Sequence, residues 1–329
     1  MARKVKKYTV GVDLGGTKML AALLSEDYTI QSVYKTSIDA NLGEKVFFKN
    51  LVESIETVLS GRVSIKEVGS IGLGCPGIIQ APEGVVKISP NLSFLKNYPL
   101  AEKIERRFGV PAAVENDVNA GLYGEQQFGA ARGCRHVAGI FLGTGVGGAL
   151  ILDGKLYRGA TGAAGEIGHT FLSLPSFLPG SQKGGTVEDY LGRLRIASEA
   201  MLLVMKQKAP HLLENCEYDI RKVKSKALSR AARQDDAVRE LISDKAAILG
   251  ICMANVVNLL SPELIVLGGG LIEALGDILI PTARQVMQEY AMRPLAAGVK
   301  VSPAKLKDFS IVKGAAKLGA EAAASRKTA

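Results

Sequence analysis

The chain has 329 residues, 47% apolar and 22% charged, with four cysteines, no tryptophan and a formal net charge of +9. That balance belongs to a packed globular protein and excludes a disordered one, and the length suits two domains of ordinary size better than one core. No apolar run reaches the roughly 20 residues of a membrane span, and the basic start (Arg3, Lys4, Lys6, Lys7) leads into a strand-like run rather than a signal h-region. The sequence therefore predicts a cytoplasmic protein without a membrane segment. Cys75, Cys134, Cys216 and Cys252 form no C-x-x-C pair, which predicts free thiols. Lysines and arginines are spread along the chain and aromatics are few, so neither a basic stripe nor a stacking platform for nucleic acid is expected.

In chain order, residues 8–13 form a β-branched run that meets Gly15-Gly16 and resumes over 19–24, which reads as strand, tight turn, strand. An amphipathic helix follows over 46–59, then a strand over 68–74 and a helix over 100–108. The apolar run 110–114 ends in Glu115-Asn116-Asp117-Val118-Asn119, and 118–128 again looks helical. The strand-turn-strand pattern returns over 137–142, Gly143-Thr144-Gly145 and 148–152, closing at Asp153-Gly154. A long helix with Val238, Leu241, Ile242, Leu249, Met253, Val256 and Leu260 on its apolar face leads into a strand over 264–267. An alanine-rich helix over 311–324 precedes a frayed tail after Ser325. One pattern occurring twice predicts a duplicated α/β protein whose glycine turns face a shared cleft.

Asp13-Leu14-Gly15-Gly16-Thr17-Lys18 sets a carboxylate, small residues, a hydroxyl and an ammonium at a strand end, the parts of a phosphate cradle. Gly143-Thr144-Gly145 offers the same approach to backbone amides, although either turn alone would also serve as a plain hairpin. The G-x-G-x-x-G spacing at Gly143 and at Gly72 suggests a dinucleotide fold only if a helix follows. Gly148 runs into an apolar strand, and Pro76 opposes a helix after Gly72, so that reading is excluded; a Walker A sequence is absent as well. Asp117 could accept a proton from an attacking hydroxyl, and it could equally cap a helix. Gly165-Glu166-Ile167-Gly168-His169 and the later Glu188 supply carboxylates and an imidazole suited to sugar hydroxyls. His169 alone would read as a structural histidine.

The ordered set D-L-G-G-T-K, G-C-P-G, P-N-L, E-N-D-V-N-A, G-T-G-V-G-G and G-E-I-G-H closely resembles the ROK family of sugar kinases and repressors, over residues 10–319. The resemblance implies the actin-like ATPase fold, two ribonuclease-H-like lobes around a central cleft. It divides the chain into a smaller lobe of 1–118 with 305–329 and a larger lobe of 119–304 carrying the sugar and adenosine segments. It implies ATP-dependent phosphorylation of a hexose, glucose first, at the 6-OH, with Asp117 as general base. Asn91, Asn116, Asp117, Glu166, His169 and Glu188 would line the sugar site. Asp13, Gly15, Gly16, Thr17, Lys18, Thr144 and Gly145 would hold phosphates, Asp13 would hold Mg2+ through them, and Gly268, Gly269 and Gly270 would receive the adenosine. A β-carbon at Gly145 is then expected to obstruct a phosphate. A homodimer is also implied.

One departure stands out. The family usually carries a zinc site built from the histidine of G-E-I-G-H and three cysteines, and the corresponding positions here are Pro179, Ser181 and Thr186. None supplies a thiolate, so no zinc site is expected. A sugar-responsive transcriptional repressor would need a DNA-binding module that the seven residues before the first strand do not hold. A sugar-binding protein without catalysis would be expected to lack Asp117. Within the kinase reading, N-acetylhexosamine, mannose or fructose are alternative acceptors, and polyphosphate is an alternative donor.

Overall fold

A computed structural model describes residues 7–39, 41, 43–173 and 185–328. The chain folds as two compact units. The first comprises Met1–Gly133, Leu156–Ala164 and Asp308–Ala329, and the second Cys134–Lys155 and Gly165–Lys307.

In the first unit, β1 (Tyr8–Leu14) and β2 (Lys18–Ser25) pair antiparallel from Tyr8 opposite Ser25 to Leu14 opposite Met19, and β3 (Ile30–Ser37) adds to β2. On its other side β1 pairs parallel with β4 (Val68–Cys75). A short hairpin follows, β5 (Ile78–Gln80) and β6 (Val85–Ile88), and β7 (Ala112–Asn116) joins β4 in parallel. The sheet order is β3-β2-β1-β4-β7. Alternation along β2 explains why this sheet is covered on both faces. Met19, Ala21 and Leu23 join one core with Phe47, Leu51, Ile55, Leu100 and Ile104, from the helices Gly43–Leu59 and Leu100–Phe108. Leu20, Ala22 and Leu24 pack instead on Val312 and Ala316 of the C-terminal helix.

The second unit repeats the plan with β8 (Val137–Leu142), β9 (Val146–Leu152), β10 (Lys155–Leu156), β11 (Leu264–Gly268) and β12 (Lys300–Pro303), in the order β10-β9-β8-β11-β12. β8 pairs antiparallel with β9 and parallel with β11, which pairs parallel with β12. Each unit thus has three antiparallel strands continued by two parallel ones, the ribonuclease-H-like order. Its core draws on the helices Asp236–Leu260 and Gly270–Tyr290, through residues such as Leu249, Met253, Val257, Leu271, Leu275 and Met287. Among the described residues no helix is long and apolar enough to cross a membrane, and none of the four cysteines forms a disulfide.

The C-terminal helix, Ser310–Thr328, runs past the expected fraying point and packs within the first unit against β1, β4 and the helix Asp117–Phe128. The crossing of the two helices is tight enough that Gly314 lies on the Ala120 carbonyl and the Gly124 amide. A β-carbon at Gly314 would collide with that backbone, which has no side-chain rotamer to yield. Gly314→Val is therefore expected to destabilise the protein by about 2 to 4 kcal/mol, more than an ordinary helical glycine replacement. Urea denaturation measures it, and an unchanged midpoint would contradict the crossing.

Candidate active site

In the first unit the parallel strands β1, β4 and β7 end together: Asp13 lies opposite Gly74, and Cys75 opposite Asn116. The helix that follows β7 is capped by Asn116, whose Oδ1 accepts from the Val118 and Asn119 amides at 2.9 and 3.0 Å, while its Nδ2 donates to the Gly77 carbonyl at 3.0 Å. The cap is thus Asn116 rather than Asp117, which becomes the first helical residue, with its Oδ1 accepting from the Val118 amide at 3.0 Å. Behind this turn Glu115 is buried, 4% exposed. Its Oε2 accepts from Arg158 Nε at 2.7 Å and its Oε1 from the Asn116 amide and Asn119 Nδ2, both at 3.0 Å. A buried carboxylate needs such a set of donors and a counter-charge to offset its desolvation.

Burial, followed by the charges of Asp117 and Asp308, raises the Asp13 carboxyl to about 7, against the opposing pull of Lys35. Lys35 itself pairs with Asp308 at 3.2 Å. A divalent cation beside Asp13 would relieve this repulsion between carboxylates, and their hard oxygens suit Mg2+. No group of three or more His, Cys, Asp or Glu side chains is gathered to hold a metal among the described residues, so other ligands would have to complete its shell. Gly15 donates its amide to the Lys18 carbonyl at 2.9 Å, closing the β1–β2 turn, and Asn91 packs where a β-carbon of Gly16 would stand. Thr17 and Lys18 are exposed on that turn. Burial pushes the Cys75 thiol well above its ordinary range, so it is an inert neighbour of Asp13 and Asp117.

In the second unit the turn Gly143-Thr144-Gly145 joins β8 to β9, with the Gly143 amide donating to the Gly145 carbonyl at 2.9 Å. Glu188 lies against it, its Oε2 accepting from the Val146 amide at 2.7 Å. A β-carbon at Gly145 would collide with that carboxylate. The expected reason for a glycine here, clearance for a phosphate, is thus joined by a nearer one inside the protein. Glu188 is delivered by the short helix Val187–Leu191, whose cap is a reciprocal pair: the Asp189 amide donates to Thr186 Oγ1 at 3.1 Å, and the Thr186 amide to Asp189 Oδ2 at 3.0 Å. Immediately after it, Arg193 donates its amide to the Gly143 carbonyl at 3.1 Å and Nη2 to Thr144 Oγ1 at 3.3 Å.

Glu166 and His169 flank a single helical turn, Ile167–His169, both exposed, with Oε2 and Nε2 3.9 Å apart. Gly268 ends β11 opposite Phe141 of the parallel neighbour β8, and Gly269 adopts φ 86° and lies on the Leu142 carbonyl. The helix Gly270–Tyr290 starts there, so its first amides and the Gly143–Gly145 turn stand at the carboxyl ends of adjacent parallel strands, where α/β sheets bind ligands. Of the family's zinc positions, Pro179 and Ser181 lie outside the described residues, and the Thr186 hydroxyl is engaged in its helix cap. Within the first unit the structure therefore gathers Asp13, Asn116 and Asp117, and sets Asn91 on Gly16. Within the second it gathers Thr144, Gly145 and Glu188, sets Glu166 beside His169, and places Gly268–Gly270 at the neighbouring strand end.

Sequence reasoning missed Arg158, Arg193 and the Lys35–Asp308 pair. Arg158 carries the clearest consequence. Arg158→Met leaves Glu115 buried without its counter-charge and is expected to cost about 3 to 5 kcal/mol, while adding Glu115→Gln should recover much of the loss. Denaturant midpoints of the single and double variants measure this, and equal stability of Arg158→Met and the parent would contradict a buried ion pair.

The sequence model of the ROK family matches residues 9–322. The glucokinase of Streptomyces coelicolor is 32% identical over 329 aligned positions, covering 95% of this chain and 98% of its own. The glucokinase of Halalkalibacterium halodurans is 33% identical, covering 94% of both chains. Among solved structures, a ROK family glucokinase from Streptomyces griseus in complex with glucose and AMPPNP matches with a TM-score of 0.82 at 29% identity, over 95% of this chain and 99% of that one.

Proposed function

Because the chain belongs to the ROK family and has the actin-like ATPase fold of its sugar kinases, we propose that it is an ATP-dependent hexose kinase converting glucose to glucose 6-phosphate. The observation that carries the reading is the placement of Asp117 beside Asp13 at the ends of three parallel strands, held there by the Asn116 cap and the buried Glu115. Asp117 accepts the proton of the sugar 6-OH as that oxygen bonds to the terminal phosphorus of ATP; the bond from phosphorus to the bridging oxygen breaks, and ADP leaves. The helix that Asp117 opens favours a carboxylate there. Asn91, Asn116, Glu166, His169 and Glu188 hold the sugar hydroxyls and fix which oxygen attacks. The backbone of Gly15, Gly16 and Gly145, the hydroxyls of Thr17 and Thr144 and the ammonium of Lys18 hold the phosphates, and Gly268–Gly270 receive the adenosine. Asp13 would hold Mg2+, which, when bound, neutralises phosphate charge.

Zinc has no place in this reading, since the family's thiolate positions carry Pro179, Ser181 and Thr186. The assembly proposed is a cytoplasmic homodimer.

Asp117→Asn tests the base directly. It keeps size and most hydrogen bonding but removes basicity, so kcat with glucose and ATP is expected to fall by about 10²-fold or more while glucose affinity stays within a few-fold. Steady-state kinetics and glucose titration measure the two effects. A near-normal kcat would remove Asp117 from the role.

A further inference from the structure

We propose that Arg193 is a phosphate ligand for the nucleotide donor, binding the terminal phosphates through the guanidinium that rests on Thr144. The inference builds on the kinase reading above and adds a residue that no motif marks.

Four observations converge on it. Arg193 touches the Gly143-Thr144-Gly145 turn twice, through its amide to the Gly143 carbonyl at 3.1 Å and through Nη2 to Thr144 Oγ1 at 3.3 Å. The backbone contact sets the root of the side chain, and the hydroxyl contact aims its head. A guanidinium carries five N–H donors, and one is used on Thr144. Arg193 makes no ion pair among the described residues, whereas Arg195, two positions on, is engaged by Glu199 at 2.7 Å. Glu188, the carboxylate on the same turn, is held by the Val146 amide.

The surroundings favour an anion as well. Arg193 opens the 13-residue helix Arg193–Met205, whose N-cap Gly192 has no side chain to satisfy the first amides. The turn is open beside Gly143, where a β-carbon would meet no atom closer than 3.9 Å, in contrast to the filled position at Gly145. A planar cation with no ion pair among the described residues, at the start of a helix without a side-chain cap and beside an open glycine turn, suits phosphate oxygens, which guanidinium binds in bidentate fashion. Arg193 is half-buried, so part of its desolvation is already met before a ligand arrives. A purely structural arginine, steadying the turn through Thr144, is the competing role.

Calorimetric titration of the full-length protein with AMPPNP, ADP and adenosine, each in the presence of Mg2+, separates the two. Arg193→Ala is expected to weaken AMPPNP by about 10-fold or more, as for loss of charge-assisted hydrogen bonds. Adenosine affinity should stay within about two-fold. KM for ATP should rise in the same proportion as the AMPPNP loss, with KM for glucose unchanged. Arg193→Lys, which keeps the charge but not the fork, should recover part of the AMPPNP affinity and guards against a folding defect in the alanine variant. Equal weakening of AMPPNP and adenosine would overturn the proposal in favour of a turn-steadying role, and unchanged affinity for all three would overturn it outright. A parent protein that turns over glucose and ATP beside an unaffected Arg193→Ala would refute Arg193 alone; a parent that binds no AMPPNP would refute the kinase reading with it.

Discussion

Burial of the Glu115 carboxylate is the constraint around which the carboxyl end of the β1-β4-β7 strands is arranged. A carboxylate removed from water must be met by donors, and the three it finds are of different kinds: the next residue's amide, the Asn119 side chain one helical turn on, and the Arg158 guanidinium 43 residues later. These contacts tie the Asn116 backbone and the first turn of the helix to Glu115. Asp117 opens that helix, and its charge adds to burial, the larger cause, in raising the Asp13 carboxyl.

The second unit uses the same economy of short segments. Residues 186–193 start with a reciprocal helix cap and then bring charges of opposite sign to one glycine turn, Glu188 at the Val146 amide and Arg193 at Thr144. The absence of a side chain at Gly145 is what admits Glu188. A residue assigned to the acceptor and a turn assigned to the donor are in direct contact here, so disturbing either is felt by both. Substitutions at Gly145 consequently report on the Glu188 contact as well as on the proposed phosphate clearance.

Most of the architecture was legible in the sequence because the core elements bury whole faces. The β-branched runs at 8–13 and 137–142, the glycine turns after them and the periodic helix ending at Leu260 all carry patterns that burial enforces. β3 carries no such pattern: Ile30–Ser37 is an edge strand with exposed Val33 and Tyr34, so alternation fails. The helix Gly270–Tyr290 contains Pro281, which reads as a break although the helix continues through it. Among the candidate site residues, those clustered in sequence could be proposed from it, as in Glu115-Asn116-Asp117 and Gly165–His169. Arg158 and Arg193 could not be, because neither stands in a recognisable motif and the partner of each is set by tertiary contact, Glu115 for one and Thr144 for the other. Asn116 and Asp117 are equally good caps by type, and in the fold it is Asn116 that accepts from the Val118 and Asn119 amides.

Transfer of the terminal phosphoryl group of ATP to a hexose hydroxyl is the claim on which every assigned role depends, and the identity of the product tests it most directly. Following ATP, Mg2+ and glucose with the purified protein by 31P NMR is expected to show glucose 6-phosphate appearing in equal amount to ADP, with little free phosphate. Release of inorganic phosphate without a sugar phosphate, or no consumption of ATP with glucose or any other hexose, would contradict it.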